Sequence, residues 1–175
     1  MDRGKVEQIA RDHKELAQGS DLREHRDTDI ARGEEARALE NLWQQIEREC
    51  AEYCASYNAA FGAVRILSEV HADTVVVRSQ PDQQDTLVFR RILPSDTHPG
   101  RVEAHRYHYP AHPVDLPVGL RQTARDTLTL THRDQDVTPE DLVLELLGTL
   151  TEQLARAERR RAGAAARTAG HDGGR

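Results

Sequence analysis

A heptad stripe of apolar side chains is the feature that most constrains how this chain folds. Its members follow one another at steps of four and three residues without a break: Leu39, Trp43, Ile46, Cys50, Tyr53, Tyr57, Ala60 and Val64. Because an α-helix has 3.6 residues per turn, this spacing is typical of one helix face. Since no proline occurs before Pro81, the pattern predicts a helix over about residues 34–62, roughly 43 Å long at 1.5 Å per residue.

The segment before this helix is highly charged. Of residues 1–38, 18 are Asp, Glu, Lys or Arg. Apolar residues at helical spacing between Val6 and Leu16 predict a short helix that stops at Gly19. Beyond that point too few large apolar residues occur to order the chain by burial. The sequence therefore predicts that residues 1–33 form a charged N-terminal segment that is weakly helical or disordered.

After Gly62 the apolar pattern changes from a helical period toward alternation, which is typical of β-strands. Runs of this kind occur in five places: Val64–Val70, Val75–Val77, Leu87–Ile92, Arg101–Tyr109 and Thr127–His132. Residues 71–73 (His-Ala-Asp) predict a tight hairpin between the first two strands. Pro110, Pro113 and Pro117 predict an extended connection without strand pairing, since proline lacks the backbone donor.

The last helix carries a clear start signal. Thr138 suits the N-cap position and Pro139 the first helical position. The apolar face that follows consists of Leu142, Val143, Leu146, Leu147, Leu150 and Leu154. Residues 157–175 are rich in Arg, Ala and Gly and are predicted to form a disordered tail. Residues 34–156 are thus expected to form one α+β domain: a long N-terminal amphipathic helix, an antiparallel meander of about five strands and a closing C-terminal helix.

The charge and hydropathy of the sequence limit the classes of partner that the protein is expected to bind. The net charge is −6 and the isoelectric point about 5.8, which argues against a nucleic-acid binder, since such domains usually carry a basic stripe. Contact between the Arg-rich segment 156–161 and nucleic acid is a weaker alternative. No apolar stretch approaches the roughly 18 residues that a membrane helix requires, and the first residues lack the apolar run of a secretory signal. We therefore expect a cytoplasmic protein without a membrane partner.

Catalytic motifs are not apparent in the sequence. No Gly-rich phosphate loop occurs, because the glycines of the predicted domain lie singly, at Gly62, Gly100, Gly119 and Gly148. No serine lies between two nearby glycines, as a nucleophile elbow requires. Glu103 and His105 are two residues apart and would share one strand face as an acid–base pair. Polar ladders of this kind are common on open sheets, so we expect a protein that is not an enzyme.

Histidine is enriched, with nine copies, four of them between His98 and His112. Imidazole nitrogens are common ligands of transition metals, which makes His105, His108 and His112 candidate metal ligands on the sheet face. His105 and His108 are an odd number of residues apart and should face opposite sides of a strand. Convergence would require a bend near Pro110. A ligand- or metal-binding domain that uses this face is the alternative function.

The two cysteines, Cys50 and Cys54, lie one helical turn apart and are too few for a disulfide scaffold. Cβ atoms at this spacing are about 5–6 Å apart, whereas a disulfide requires about 3.8 Å. The sequence therefore predicts two buried free thiols that pack as small apolar groups. The alternative is a metal half-site completed by a second copy.

The long helix is the favoured functional element. At roughly 43 Å it exceeds the roughly 17–20 Å span of an ordinary strand, so part of its apolar face is expected to overhang the sheet and to require a partner. Aromatic side chains on such a stripe are also the types that anchor interfaces. The candidate interface residues are Leu39, Trp43, Ile46, Cys50 and Tyr53. We predict a non-enzymatic interaction or adaptor-type protein that forms a homo-oligomer, with no cofactor, and that binds either itself or another protein.

Overall fold

A computed structural model describes residues 3–81, 84–108, 111–123 and 127–169 of the chain. Along the chain its elements are α1 (Arg3–Phe61), β1 (Ile66–His71), β2 (Thr74–Ser79), β3 (Asp85–Ile92), β4 (Arg101–His108), β5 (Val114–Leu116), β6 (Val118–Gln122), β7 (Leu128–His132), β8 (Gln135–Val137) and α2 (Pro139–Ala169). The predicted α+β architecture, with a long first helix, antiparallel strands and a closing helix, is confirmed.

The strands form two antiparallel sheets rather than one meander. The first sheet has the order β1-β2-β3-β4-β5 and the second the order β6-β7-β8. The predicted hairpin at residues 71–73 is confirmed, because β1 ends at His71 and β2 begins at Thr74. The prediction of an unpaired connection is wrong for residues 114–116, which pair with β4 as β5. This segment is an edge strand between Pro113 and Pro117, where a missing backbone donor costs no ladder bond.

Helix α1 begins much earlier than the sequence predicted. It runs over 59 residues from Arg3, roughly 88 Å at 1.5 Å per residue, so the predicted stop at Gly19 does not occur. A single glycine inside a helix costs only about 1 kcal/mol relative to alanine, which does not suffice to end it. The helix does end where expected. Gly62 has a φ of 70°, the left-handed conformation that favours glycine after a helix.

The core lies between the helices and one face of the five-stranded sheet, which we call the inner face. Helix α1 contributes the buried residues Leu39, Trp43, Ile46, Cys50 and Cys54. Alternate residues of β1–β4 contribute Ile66, Val75, Val77, Leu87, Phe89, Val102 and Ala104. Helix α2 contributes Leu142, Val143, Leu146, Leu147 and Leu150, and β7 adds Leu128 and Leu130. The apolar faces predicted for both helices are therefore packed against the same sheet.

Helix α2 starts as its sequence predicts. The hydroxyl of Thr138 accepts a hydrogen bond from the backbone N–H of Asp141 at 3.1 Å, which satisfies one of the donors that a helix start leaves open. The helix continues to Ala169, so the predicted tail is helical as far as that residue, and residues 170–175 lie outside the described part of the chain. None of the described helices has an apolar stretch long enough to span a bilayer.

One arginine ties the first hairpin and β3 to the long helix. The side chain of Arg91 is only 11% exposed and forms ion pairs with Glu40 and with Asp73, the latter at 3.1 Å. Its guanidinium carbon lies 5.6 Å from the centroid of the Trp43 ring, within the range of a cation–π contact. Arg91 thus binds both α1 and the β1–β2 turn. This holds β1 at one position along α1.

Candidate interaction surface

The residues that the sequence indicates as an interface lie inside the chain's own core. Leu39, Trp43, Ile46 and Cys50 are at most 1% exposed. Tyr53 is half-buried, and its hydroxyl lies 3.0 Å from that of Thr151 on α2. The sheet and α2 together cover this part of the helix, so in this fold the first four side chains offer no surface to a second copy and Tyr53 offers only part of its own. Self-association stays a prediction and must use other residues.

The structure does not bring the three candidate metal ligands together. His105 lies on the outer face of the sheet, where its Nδ1 is 2.8 Å from Asp115 Oδ1. His108 follows the inner-face alternation, and its Nδ1 is 2.8 Å from the buried Asp85. The predicted opposite orientation of the two is confirmed, and His112 is exposed in the segment before β5. Among the described residues, no group of three His, Cys, Asp or Glu side chains is arranged to hold a metal ion.

The candidate acid–base pair does share a strand face, as predicted. The Nε2 atom of His105 lies 3.6 Å from Glu103 Oε2, and Asp115 faces the other ring nitrogen. A general base requires a nitrogen within hydrogen-bond reach of the substrate proton. Because both nitrogens of His105 face carboxylates of its own sheet, this arrangement is that of a polar ladder on the sheet surface.

The two cysteines are free thiols in the core, as the sequence predicts. Burial raises the pKa of Cys50 and raises the pKa of Cys54 from its ordinary value of 9.0 to about 11. The thiolate is the reactive and metal-binding form of cysteine. A raised pKa therefore favours inert packing groups over a redox or metal site.

We expect both thiols to be unreactive in the folded protein. At pH 8 a pKa of about 11 in place of 9.0 leaves Cys54 with about a hundredfold less thiolate than in the unfolded chain. Since the neutral thiol is favoured in the fold, the free energy of unfolding should be unchanged below about pH 9 and should fall as the pH rises toward 11. The rate of reaction with a thiol-specific disulfide reagent, measured in buffer and in urea, checks this. A native-state rate close to the rate in urea would contradict it.

An open groove of about 470 Å³ lies between α1 and the loop that joins β3 to β4. Its lining combines apolar and polar groups, and the charged or titratable ones include Arg32, Asp96 and His98. Arg32 is already paired with Asp96 at 2.8 Å and lies 3.5 Å from Asp29. The arginine is therefore neutralised by the chain's own carboxylates, and the groove offers little net charge to an anionic ligand.

The remaining feature is the outermost strand of the five-stranded sheet. Among the described strands β1 has only β2 as a neighbour. Four exposed apolar side chains lie on it, at the adjoining end of α1 and in the connection between the two, and we call them the β1 edge surface: Phe61, Val64, Leu67 and Val70. Leu67 lies on the outer face and Val70 on the inner face, at 42% and 52% exposure. Both sides of the strand thus present apolar surface to solvent.

The strand register shows which backbone groups of β1 point away from β2. The N–H of Gln80 donates to the carbonyl of Arg65 at 2.7 Å, and hydrogen-bonded pairs alternate along an antiparallel ladder. Leu67, Glu69 and His71 therefore bond to β2. The N–H and C=O groups of the residues between them, Ile66, Ser68 and Val70, point toward the open side.

Asn58 on α1 closes part of this open side. Its Oδ1 accepts hydrogen bonds from the N–H groups of Arg65 at 2.7 Å and Ile66 at 3.1 Å. Its Nδ2 donates to the carbonyl of Ile66 at 2.8 Å. The amide thus takes the place of a neighbouring strand at Ile66. Within the described part of the chain, no hydrogen bond closes the outward-facing backbone groups of Ser68 and Val70.

Comparisons with protein family models, with curated proteins and with solved structures find no match for this chain. Sequence reasoning missed the β1 edge surface, although Leu67 and Val70 lay within a predicted strand. No local signal in that strand tells whether it will be central or at the edge of its sheet.

Proposed function

We propose that this chain is a non-enzymatic interaction protein that self-associates through the β1 edge surface. The observation that carries the proposal is an open edge strand with apolar side chains exposed on both of its faces. An uncovered strand edge is a template for pairing with another chain, and an exposed apolar side chain on each face of that strand adds apolar area that pairing would bury. The long helix contributes to this surface through Phe61 at its C-terminal end.

The opposite edge of the same sheet is less suited to pairing. Strand β5 has three residues and lies between Pro113 and Pro117, and short strands with proline are a common means of blunting an edge. Strand β1 has six residues without proline. Of the two edges, β1 therefore presents the longer ladder of backbone donors and acceptors.

Replacing Leu67 and Val70 together by Lys should weaken self-association at least tenfold. Lysine on a strand edge opposes pairing by its charge and by its loss of apolar contact. Both side chains are exposed, so the fold should be retained and the stability should change little. The mass in solution of the wild type and of L67K/V70K, measured by sedimentation at equal concentration, checks this.

A matched control is available on α2. Leu144 is 58% exposed and lies outside the β1 edge surface, so Leu144→Lys replaces an exposed apolar side chain elsewhere by one lysine, against two in L67K/V70K, and should leave the mass unchanged. If L67K/V70K has the same mass as the wild type, or if L144K dissociates the protein equally well, the proposed surface is wrong.

A further inference from the structure

We infer that two copies of the chain pair β1 with β1 in antiparallel orientation, across a twofold axis that passes through Val70. The two five-stranded sheets would then form one continuous sheet of ten strands. This inference rests on the proposed function and specifies its geometry. It follows from the backbone groups that Asn58 leaves open and from the charges along the strand.

A twofold axis between two identical antiparallel strands must pass through a residue that faces its own copy. The open backbone groups belong to Ser68 and Val70, so the axis can lie at residue 68, 69 or 70. Each position sets different side chains opposite one another. The three registers can therefore be separated by what each of them brings together.

An axis at Ser68 makes poor use of the edge. It places Ile66 opposite the partner's Val70, where the two residues would exchange hydrogen bonds. The N–H and C=O groups of Ile66 are already bonded to the side chain of Asn58. Only the pair at Ser68 would remain, and on the outer face the apolar Leu67 would lie opposite the partner's charged Glu69.

An axis at Glu69 uses both open residues but brings like charges together. Ser68 would face the partner's Val70, and four backbone hydrogen bonds would form. Glu69, however, would directly face the partner's Glu69 in the non-hydrogen-bonded position. Side chains in such pairs are only about 4.5–5.5 Å apart at Cβ, and like charges there are destabilising. Arg78, at 3.2 Å, already pairs with Glu69 within each chain and offsets this repulsion only in part.

An axis at Val70 also forms one hydrogen-bonded pair, since Ser68 would lie opposite the partner's Ala72 in the β1–β2 turn, but it brings complementary side chains together. Val70 exchanges two backbone hydrogen bonds with the partner's Val70, and the exposed valine side chains cover one another. On the outer face Glu69 lies opposite the partner's His71, and by symmetry this contact occurs twice. A histidine ring N–H donates to a carboxylate in either protonation state of the ring. In this register two hydrogen bonds between Glu69 and the partner's His71 form, and Glu69 no longer faces the partner's Glu69.

Cysteine cross-linking distinguishes the registers. Glu69→Cys and His71→Cys are prepared separately, one of them with a size tag, then mixed, allowed to exchange and oxidised with copper phenanthroline. We expect a disulfide-linked dimer that contains one chain of each variant, and little linkage in either variant alone. The wild type is the control, because its Cys50 and Cys54 are buried and should not cross-link.

Each other outcome has a distinct meaning. Efficient linkage of the Glu69→Cys variant with itself, together with linkage of Ser68→Cys to Val70→Cys, two variants that keep Glu69, would place the axis at residue 69 and overturn the proposed register. No linkage in any sample, with a wild type that still sediments as a dimer, would overturn strand pairing and leave self-association standing. A wild type that sediments as a monomer would overturn both.

Discussion

Trp43→Ala is expected to lower the free energy of unfolding by about 3–5 kcal/mol, the usual cost of removing a large aromatic side chain from a core. Trp43 is 1% exposed and packs among core residues from both helices and the sheet. The substitution also removes the ring over which the guanidinium of Arg91 lies. Urea unfolding followed by circular dichroism measures the change.

Phe61→Ala is the matched control, because it truncates an aromatic residue of the same helix that is 46% exposed. Its cost should stay below about 1 kcal/mol, since exposed positions contribute little to stability. A small loss of stability in Trp43→Ala together with a loss of self-association would show that Trp43 is an interface residue and that the fold described for it is wrong.

Asn58→Ala should cost about 2 kcal/mol. The substitution removes three hydrogen bonds to the backbone of Arg65 and Ile66, each contributing about 0.5–1.5 kcal/mol net. Water can replace part of these hydrogen bonds at a sheet edge, so the loss of stability should stay below the sum of the three largest contributions. Thermal or urea unfolding of the variant beside the wild type measures the loss.

Asn58→Asp distinguishes the hydrogen bonds that the Asn58 side chain accepts from the one that it donates. The carboxylate keeps the acceptor for the N–H groups of Arg65 and Ile66 but lacks the donor for the carbonyl of Ile66. We expect an intermediate loss of about 1 kcal/mol. Equal stability of the alanine variant and the wild type would show that the amide does not close the edge of β1.

Sequence patterns correctly predicted the helices and turns that depend on residues close together in the chain. The heptad stripe placed Leu39 to Cys50 on one helix face, and this face is buried. Thr138 caps α2, and the turn at residues 72–73 forms the first hairpin. In each case the decisive contacts lie within a few residues of sequence, so the period and the turn chemistry carry the information.

Features that depend on distant contacts were not predictable in this way. Helix α2 covers α1 in addition to the sheet, and the part of the stripe from Leu39 to Cys50 therefore lies in the core rather than overhanging it. The β7–β8 hairpin turns at Arg133 and Asp134, both with positive φ. These are residues without the Asn-Gly signal that usually marks such a turn. Whether β1 is an edge strand follows from the order of all five strands.

The histidines illustrate the same division. Strand parity predicted that His105 and His108 face opposite sides, and the structure confirms this. Their carboxylate partners, Asp115 and Asp85, lie 10 and 23 residues away in sequence. No spacing rule identifies those partners, because they are set by the register of β4 with β3 and β5.

Sedimentation equilibrium of the wild-type chain across the micromolar range tests the central claim most directly. If the β1 edge surface joins two copies, the average mass should rise with concentration from the 19.7 kDa of one chain toward twice that value. A mass that stays at 19.7 kDa throughout would contradict self-association.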